Sequence, residues 1–171
     1  GQSTVSHYLP LFIKDLICAN SVRGCYGRNL SDEENSGIPS SYAFFLGGFT
    51  TMRGYAGTPN DRIPSEIQVP TNENRQLIVP KETSYYLIKS EIRFPIYGII
   101  GGVLFTDIGN VKINRDSDKN YYDGPTKQTY GLGIRINTPV GPLTLDYARK
   151  RDVNREIDES PDQWHLSIGT F

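Results

Sequence analysis

Tyr85-Tyr-Leu-Ile-Lys-Ser-Glu-Ile-Arg-Phe-Pro-Ile-Tyr97 alternates along its length. The even positions Tyr86, Ile88, Ile92, Phe94 and Ile96 are apolar, with Ser90 the exception, while Lys89, Glu91 and Arg93 hold odd ones. A period of two belongs to an extended strand, so the run predicts a strand with one greasy face and one charged face. The pattern repeats downstream. Ile100, Leu104 and Ile108 face away from Val103, Phe105, Asp107 and Gly109. Tyr130, Leu132, Ile134 and Ile136 alternate with Gly131, Gly133, Arg135 and Asn137, and Thr138 to Pro142 makes a tight turn. Leu143, Leu145 and Tyr147 then alternate with Thr144, Asp146 and Ala148. The last strand, Trp164 to Phe171, sets Trp164, Leu166 and Ile168 against His165, Ser167 and Gly169. Upstream, residues 11–27 are apolar enough for a strand but alternate poorly, after a short segment at Val5 to Leu9. The expected fold is all-β, an antiparallel sheet of about six to eight strands, the higher number if the N-terminal segment and part of 63–80 contribute.

Composition narrows the class. A chain of 171 residues is enough for one domain with a core. The net charge is −1 and the basic residues form no patch, so an electrostatic nucleic-acid partner is not expected. No run of 18 apolar residues exists, which excludes a transmembrane helix. The mean hydropathy of −0.44 does not exclude a membrane barrel, because only every second wall residue meets lipid. Cys18 and Cys25 in one extended strand would lie about 23 Å apart on opposite faces, which disfavours a bridge. His7 and His165 lack ligand spacing to either cysteine, so no metal and no cofactor is expected.

Alternation alone does not separate a soluble sandwich from a membrane barrel. Two features favour the barrel. Connections at alternate ends of the strands differ sharply in length, and Tyr86, Tyr97, Tyr130, Tyr147 and Trp164 fall near strand ends, where an interfacial girdle sits. Residues 112–128 and roughly 150–161 are expected as solvated loops. Residues 28–83 form the longest connection, rich in Gly and Pro, and a loop of that length inside a domain is functional or disordered. Within it, Gly47-Gly48-Phe-Thr-Thr-Met52-Arg53-Gly54-Tyr55 places one arginine among glycines.

These residues resemble the outer-membrane assembly factors of the BamA type, a family that includes TamA and the two-partner secretion transporters. Gly47-Gly48 with Met52-Arg53-Gly54-Tyr55 looks like the family's Val-Arg-Gly-Phe/Tyr motif in its long sixth extracellular loop, with Met52 in place of Val, approached through Ile38-Pro39 and Phe44 to Gly48. Phe105-Thr-Asp107-Ile-Gly109 resembles the family's inward Phe-x-Asp-x-Gly strand. Glu91 to Pro95 resembles the strand before it, and Thr138 to Ala148 the penultimate hairpin. The match runs over nearly the whole chain, in the C-terminal half of the family barrel. It implies half of a sixteen-stranded barrel at the bacterial outer membrane, in contact with its lipid, with no periplasmic polypeptide-binding domain in residues 1–171. It further implies a role in inserting or translocating unfolded outer-membrane protein clients, without enzymatic activity. Trp164, Leu166, Ile168 and Phe171 correspond to the C-terminal strand signal.

An arginine in a poorly solvated lumen needs an anionic partner. Asp107 and Glu91 fall on the inward parity of adjacent strands, and the resemblance implies the same pairing of Arg53 with Asp107. A phosphate cradle is the weaker reading, since no Lys-Ser/Thr or helix pattern follows the glycines. Asp107, Asp146 and His165 as an acid–base set is weaker too, since lumen polarity accounts for them without a nucleophile. Six to eight strands leave two edges, and edge groups in lipid cost several kcal/mol each. A missing barrel half, or a second copy joined edge to edge, is the expected partner, and a small structural or adhesive barrel is the alternative role.

Overall fold

The computed structural model describes residues 1–11, 15–30, 38, 44–64, 81–116, 119–139, 141–154 and 159–169. The strands are β1 (Gln2–Pro10), β2 (Ile17–Arg28), β3 (Glu82–Tyr97), β4 (Ile100–Asp116), β5 (Lys119–Asp123), β6 (Lys127–Thr138), β7 (Gly141–Lys150) and β8 (Asp162–Ile168). All pair antiparallel in one sheet of order β1-β2-β3-β4-β6-β7-β8, with β5 folded back on the far end of β4. Among the described residues no helix is long and apolar enough to cross a membrane.

Register turns the alternation into two faces. Ile92, Leu104, Leu132, Tyr147 and Trp164 lie side by side across five strands on the outer face, and Leu132 and Trp164 are 53% and 60% exposed. Such a row of large apolar side chains is the surface a barrel turns toward lipid. The rings of Tyr147 and Trp164 stack at 4.9 Å in a cross-strand pair. Ser90, the break in the apolar pattern of β3, has its partner in the sheet: its hydroxyl donates to Asn20 Oδ1 at 2.8 Å on β2. Glu91, Phe105, Asp107, Asp146 and Ala148 occupy the opposite, inner face, where the last four are buried.

By strand bounds, β1–β2, β3–β4 and β6–β7 follow each other within a few residues at one end of the sheet, and the longer separations, β2–β3 and β7–β8, fall at the other. The poor alternation of 11–27 has its cause here, because the β1–β2 turn falls inside that stretch. The expected loop at 112–128 is corrected: β4 runs to Asp116 and pairs with β5, braced by Lys112 Nζ to Asp123 Oδ2 at 2.9 Å. Its Asn, Asp and Lys residues read as loop because the β4–β5 register slips at Asn114 and again before Asp116, which breaks the period of two, although Ile113 and Tyr122 on one face still pack toward the docked loop. Of 63–80, residues 65–80 lie outside the described residues, and Ile63 bridges Leu46. Cys18 and Cys25 are free thiols.

The core is not between two sheets. The loop residues Leu46, Met52, Tyr55 and Ile63 pack on the inner-face residues Leu87, Val111 and Ile113. Burying each such side chain contributes about 1.5–3 kcal/mol, so the loop brings its own apolar reason to enter the lumen. β1 and β8 are the sheet's edges, and no pairing joins them among the described residues.

Candidate functional site

Arg53 stands on the loop at the centre of the inner face and is 1% exposed. Its Nε and Nη2 donate to Asp107 Oδ2 and Oδ1 at 2.9 and 2.7 Å, a two-pronged contact that fits the planar guanidinium. Its backbone N–H donates to the same carboxylate at 3.2 Å. Nη1 reaches Glu91 Oε1 at 2.6 Å and Asp146 Oδ2 at 3.4 Å. The guanidinium carbon lies 3.5 Å from the centroid of the Phe105 ring, a cation–π seat from below. Its carbonyl accepts from His165 Nε2 at 2.6 Å. Side chains from β3, β4, β7 and β8 thus converge on one loop residue.

The charges balance. Arg93 donates to Glu91 through Nε and Nη2 at 2.9 and 2.8 Å, and Arg135 holds Asp146 through both of its terminal nitrogens. Three guanidiniums, Arg53, Arg93 and Arg135, meet three carboxylates, Glu91, Asp107 and Asp146. A network of this kind is stable in a low-dielectric lumen because each ion is paired and hydrogen-bonded. Burial alone would lower the Arg53 pKa; the hydrogen bond and charge of Asp107, then the charges of Glu91 and Asp146, outweigh it and hold the guanidinium above its ordinary value.

A second attachment lies at the outer end of β7. Lys150, 2% exposed, pairs with Asp61 of the loop and with Glu159 at 3.5 Å, and its Nζ sits 4.1 Å from the Tyr55 ring centroid. Asp61 Oδ2 also accepts the Ala56 N–H at 2.8 Å. The loop is therefore held at two places.

Small residues make the seat. Gly48 has φ +91°, a conformation that disfavours a side chain, and its N–H donates to the Tyr55 carbonyl at 2.8 Å, closing the turn that carries Arg53. Thr51 Oγ1 accepts the Gly47 N–H and donates to the Gly47 carbonyl, both at 2.8 Å. Gly109 leaves room for Leu46, and Gly131 for the Phe105 ring. At Gly54 an added Cβ would overlap the Thr129 side chain, with Thr129 Cβ at 2.9 Å. Gly54→Ala is accordingly expected to destabilise the docked loop by about 1–3 kcal/mol, read as a lower urea midpoint in micelles, whereas an unchanged midpoint would mean that the seat has slack.

Of the residues singled out from sequence, Gly47, Gly48, Met52, Arg53, Gly54, Tyr55, Glu91, Phe105, Asp107 and Gly109 lie together around the loop. Trp164, Leu166 and Ile168 face outward from β8, away from the site, and Phe171 lies outside the described residues. Asp146 and His165, weighed in sequence only as an acid–base set, both touch Arg53. Lys150 and Asp61 were not singled out; Lys150 continues the inward parity of Thr144, Asp146 and Ala148, and that was the available signal.

An antiparallel sheet with an apolar outer face, a charged inner face and a loop folded onto that inner face is the wall of part of a transmembrane β-barrel. The family model of the Omp85 superfamily domain matches residues 2–171, and the chain belongs to that superfamily. It is 27% identical over 132 residues to outer envelope protein 80, chloroplastic, of Arabidopsis thaliana, covering 74% of this chain and 14% of the relative. It is 25% identical over 135 residues to outer membrane protein assembly factor BamA of Nitratidesulfovibrio vulgaris, covering 78% of this chain and 16% of the relative. The chain spans about one-sixth or less of the length of these curated relatives.

Proposed function

We propose that this chain is the loop-bearing C-terminal half of a BamA-like barrel that supports insertion or translocation of polypeptides at an outer membrane, without enzymatic activity and without a cofactor. The observation that carries the reading is the Arg53 network, which ties one lumenal loop to β3, β4, β7 and the edge strand β8. A loop fixed this way holds the inner face rigid and leaves the backbone of β8 open to a partner strand. Unpaired edge groups in lipid favour strand addition, which is the chemistry of templating a client β-strand. The bacterial outer membrane is the setting expected from BamA-like motifs, and the chloroplast relative extends that setting to organelle envelopes.

The test is folding of an unfolded outer-membrane barrel client into vesicles. Vesicles carrying this chain are expected to fold the client several-fold faster than protein-free vesicles, and equal rates would refute an assembly role.

A second reading, a structural or adhesive barrel or a homo-oligomeric pore, is favoured by the two unpaired edges, β1 and β8, which two copies would satisfy by joining edge to edge. Mass measurement of the detergent-solubilised chain separates them: a single-chain mass excludes the two-copy pore.

A further inference from the structure

Beneath the docked loop, toward the short-turn end, the concave inner face lines an open cavity of about 830 Å³. That size lies within the range of about 300–1,000 Å³ typical of ligand sites. Five cations line it, Arg23, Arg53, Lys89, Arg93 and Arg135, against two carboxylates, Asp15 and Glu91. Asp107 and Asp146 lie behind this surface, each 0% exposed and already bound to Arg53 or Arg135. With Asp107 and Asp146 counted, five cations meet four carboxylates, and the excess of one positive charge lies at Arg23 and Lys89.

Two of the five cations stand outside the balanced network. Arg23 on β2 makes no ion pair among the described residues, and its buried Nε has no hydrogen-bond partner there. Lys89 on β3 donates to the Phe49 carbonyl at 3.3 Å and likewise makes no ion pair among the described residues. They are diagonal neighbours, since Lys89 lies opposite Ser21 and Arg23 opposite Leu87. Lys89 lies opposite Asp107, but that carboxylate is already gripped by Arg53, so neither Arg23 nor Lys89 has a carboxylate of its own; two such cations side by side repel, and the site favours an anion that bridges them. Phe49, whose carbonyl takes the Lys89 hydrogen bond, and Tyr8, opposite the inward Ala19 on β2, supply apolar surface to the same cavity.

We propose that this cavity binds a carboxylate-bearing stretch of polypeptide, with Arg23 and Lys89 as the charge contacts and Phe49 and Tyr8 receiving the apolar side chains between the acids. The proposal rests on the reading of the chain as a handler of polypeptides. Binding is measured apart from client folding, so either can fail alone.

The experiment is calorimetric titration of the full chain in non-ionic micelles with three probes at matched ionic strength: the peptides Glu-Leu-Glu-Leu-Glu and Lys-Leu-Lys-Leu-Lys, and inorganic pyrophosphate. The acidic peptide is expected to bind at least about ten-fold more tightly than the basic one, and to weaken as salt is raised. The double variant Arg23→Gln/Lys89→Gln is expected to lose about ten-fold or more of that affinity while keeping the strand spectrum and heat-modifiable mobility of the folded sheet. Absence of binding, equal binding of the two peptides, or an unchanged double variant would overturn the proposal. Pyrophosphate binding as tightly as the acidic peptide would overturn the assignment to polypeptide. Should the double variant fail to fold, the acidic-against-basic comparison on the unmodified chain still decides.

Discussion

Arg53→Ala is expected to destabilise the docked loop by about 3–5 kcal/mol, the usual cost of removing one partner from a buried ion pair. Arg93 remains to hold Glu91 and Arg135 to hold Asp146, but no other cationic side chain among the described residues hydrogen-bonds to Asp107. A carboxylate with 0% exposure is then left without its counter-charge. The Phe105 ring loses its cation as well, a further contribution of about 0.5–2 kcal/mol that overlaps the first. Two readouts follow: a lower urea midpoint in micelles, and protease cutting within residues 44–64 while the strands stay protected. A double-mutant cycle with Asp107→Asn isolates the pair. The double variant is expected to lose markedly less than the sum of the singles, because neutralising Asp107 removes the stranded charge. Strict additivity would place the stabilisation elsewhere in the loop.

Lys150→Ala should have an effect of similar size, again about 3–5 kcal/mol, because it leaves the carboxylates of Asp61 and Glu159 facing each other without their shared ammonium. The Ala56 N–H bond to Asp61 persists but cannot balance a charge. Lys150→Met separates charge from packing. It keeps an apolar side chain beside Tyr55 and is expected to recover part of the loss, because the stem of a buried lysine packs as a hydrocarbon. Unfolding in urea, with loop proteolysis as the local probe, checks both variants. Stability within about 0.5 kcal/mol of the unmodified chain would mean that the outer attachment is ornamental to loop docking. Lys150 Cγ lies 3.2 Å from where a Cβ on Gly54 would stand, so the two attachments share a seat and their losses should couple.

The strands were legible wherever one face meets lipid and the other the lumen, as in residues 85–97. They were illegible where the period of two is broken or each face mixes polar with apolar residues. The β4–β5 ribbon, whose register slips at Asn114, reads as loop, and β2 mixes Cys18, Asn20 and Val22 on its outer face with Ala19, Ser21 and Arg23 on its inner face. The same contrast holds at the site. Parity brought Asp107 and Glu91 to one face, and the glycines around Arg53 marked a tightly built turn. Parity also places Lys150 inward, yet a lysine at a strand end beside a charged stretch reads as solvated, and its partner Asp61 sits in a connection whose path has no periodicity. Gly131 and Gly133 alternate with large outward residues, but the space they leave for the Phe105 ring and the Asp146 carboxylate depends on register between strands. Register is a tertiary fact that alternation within one strand does not contain.

The most direct test of the central claim is the rate at which an unfolded barrel client folds into vesicles bearing the unmodified chain, Arg53→Ala or Asp107→Ala, with each variant first shown to be inserted and strand-rich. A loop pinned by this pair predicts that both variants lose most of the acceleration and lose it to a similar degree. Client folding at the unmodified rate in both would contradict the role assigned to the pinned loop.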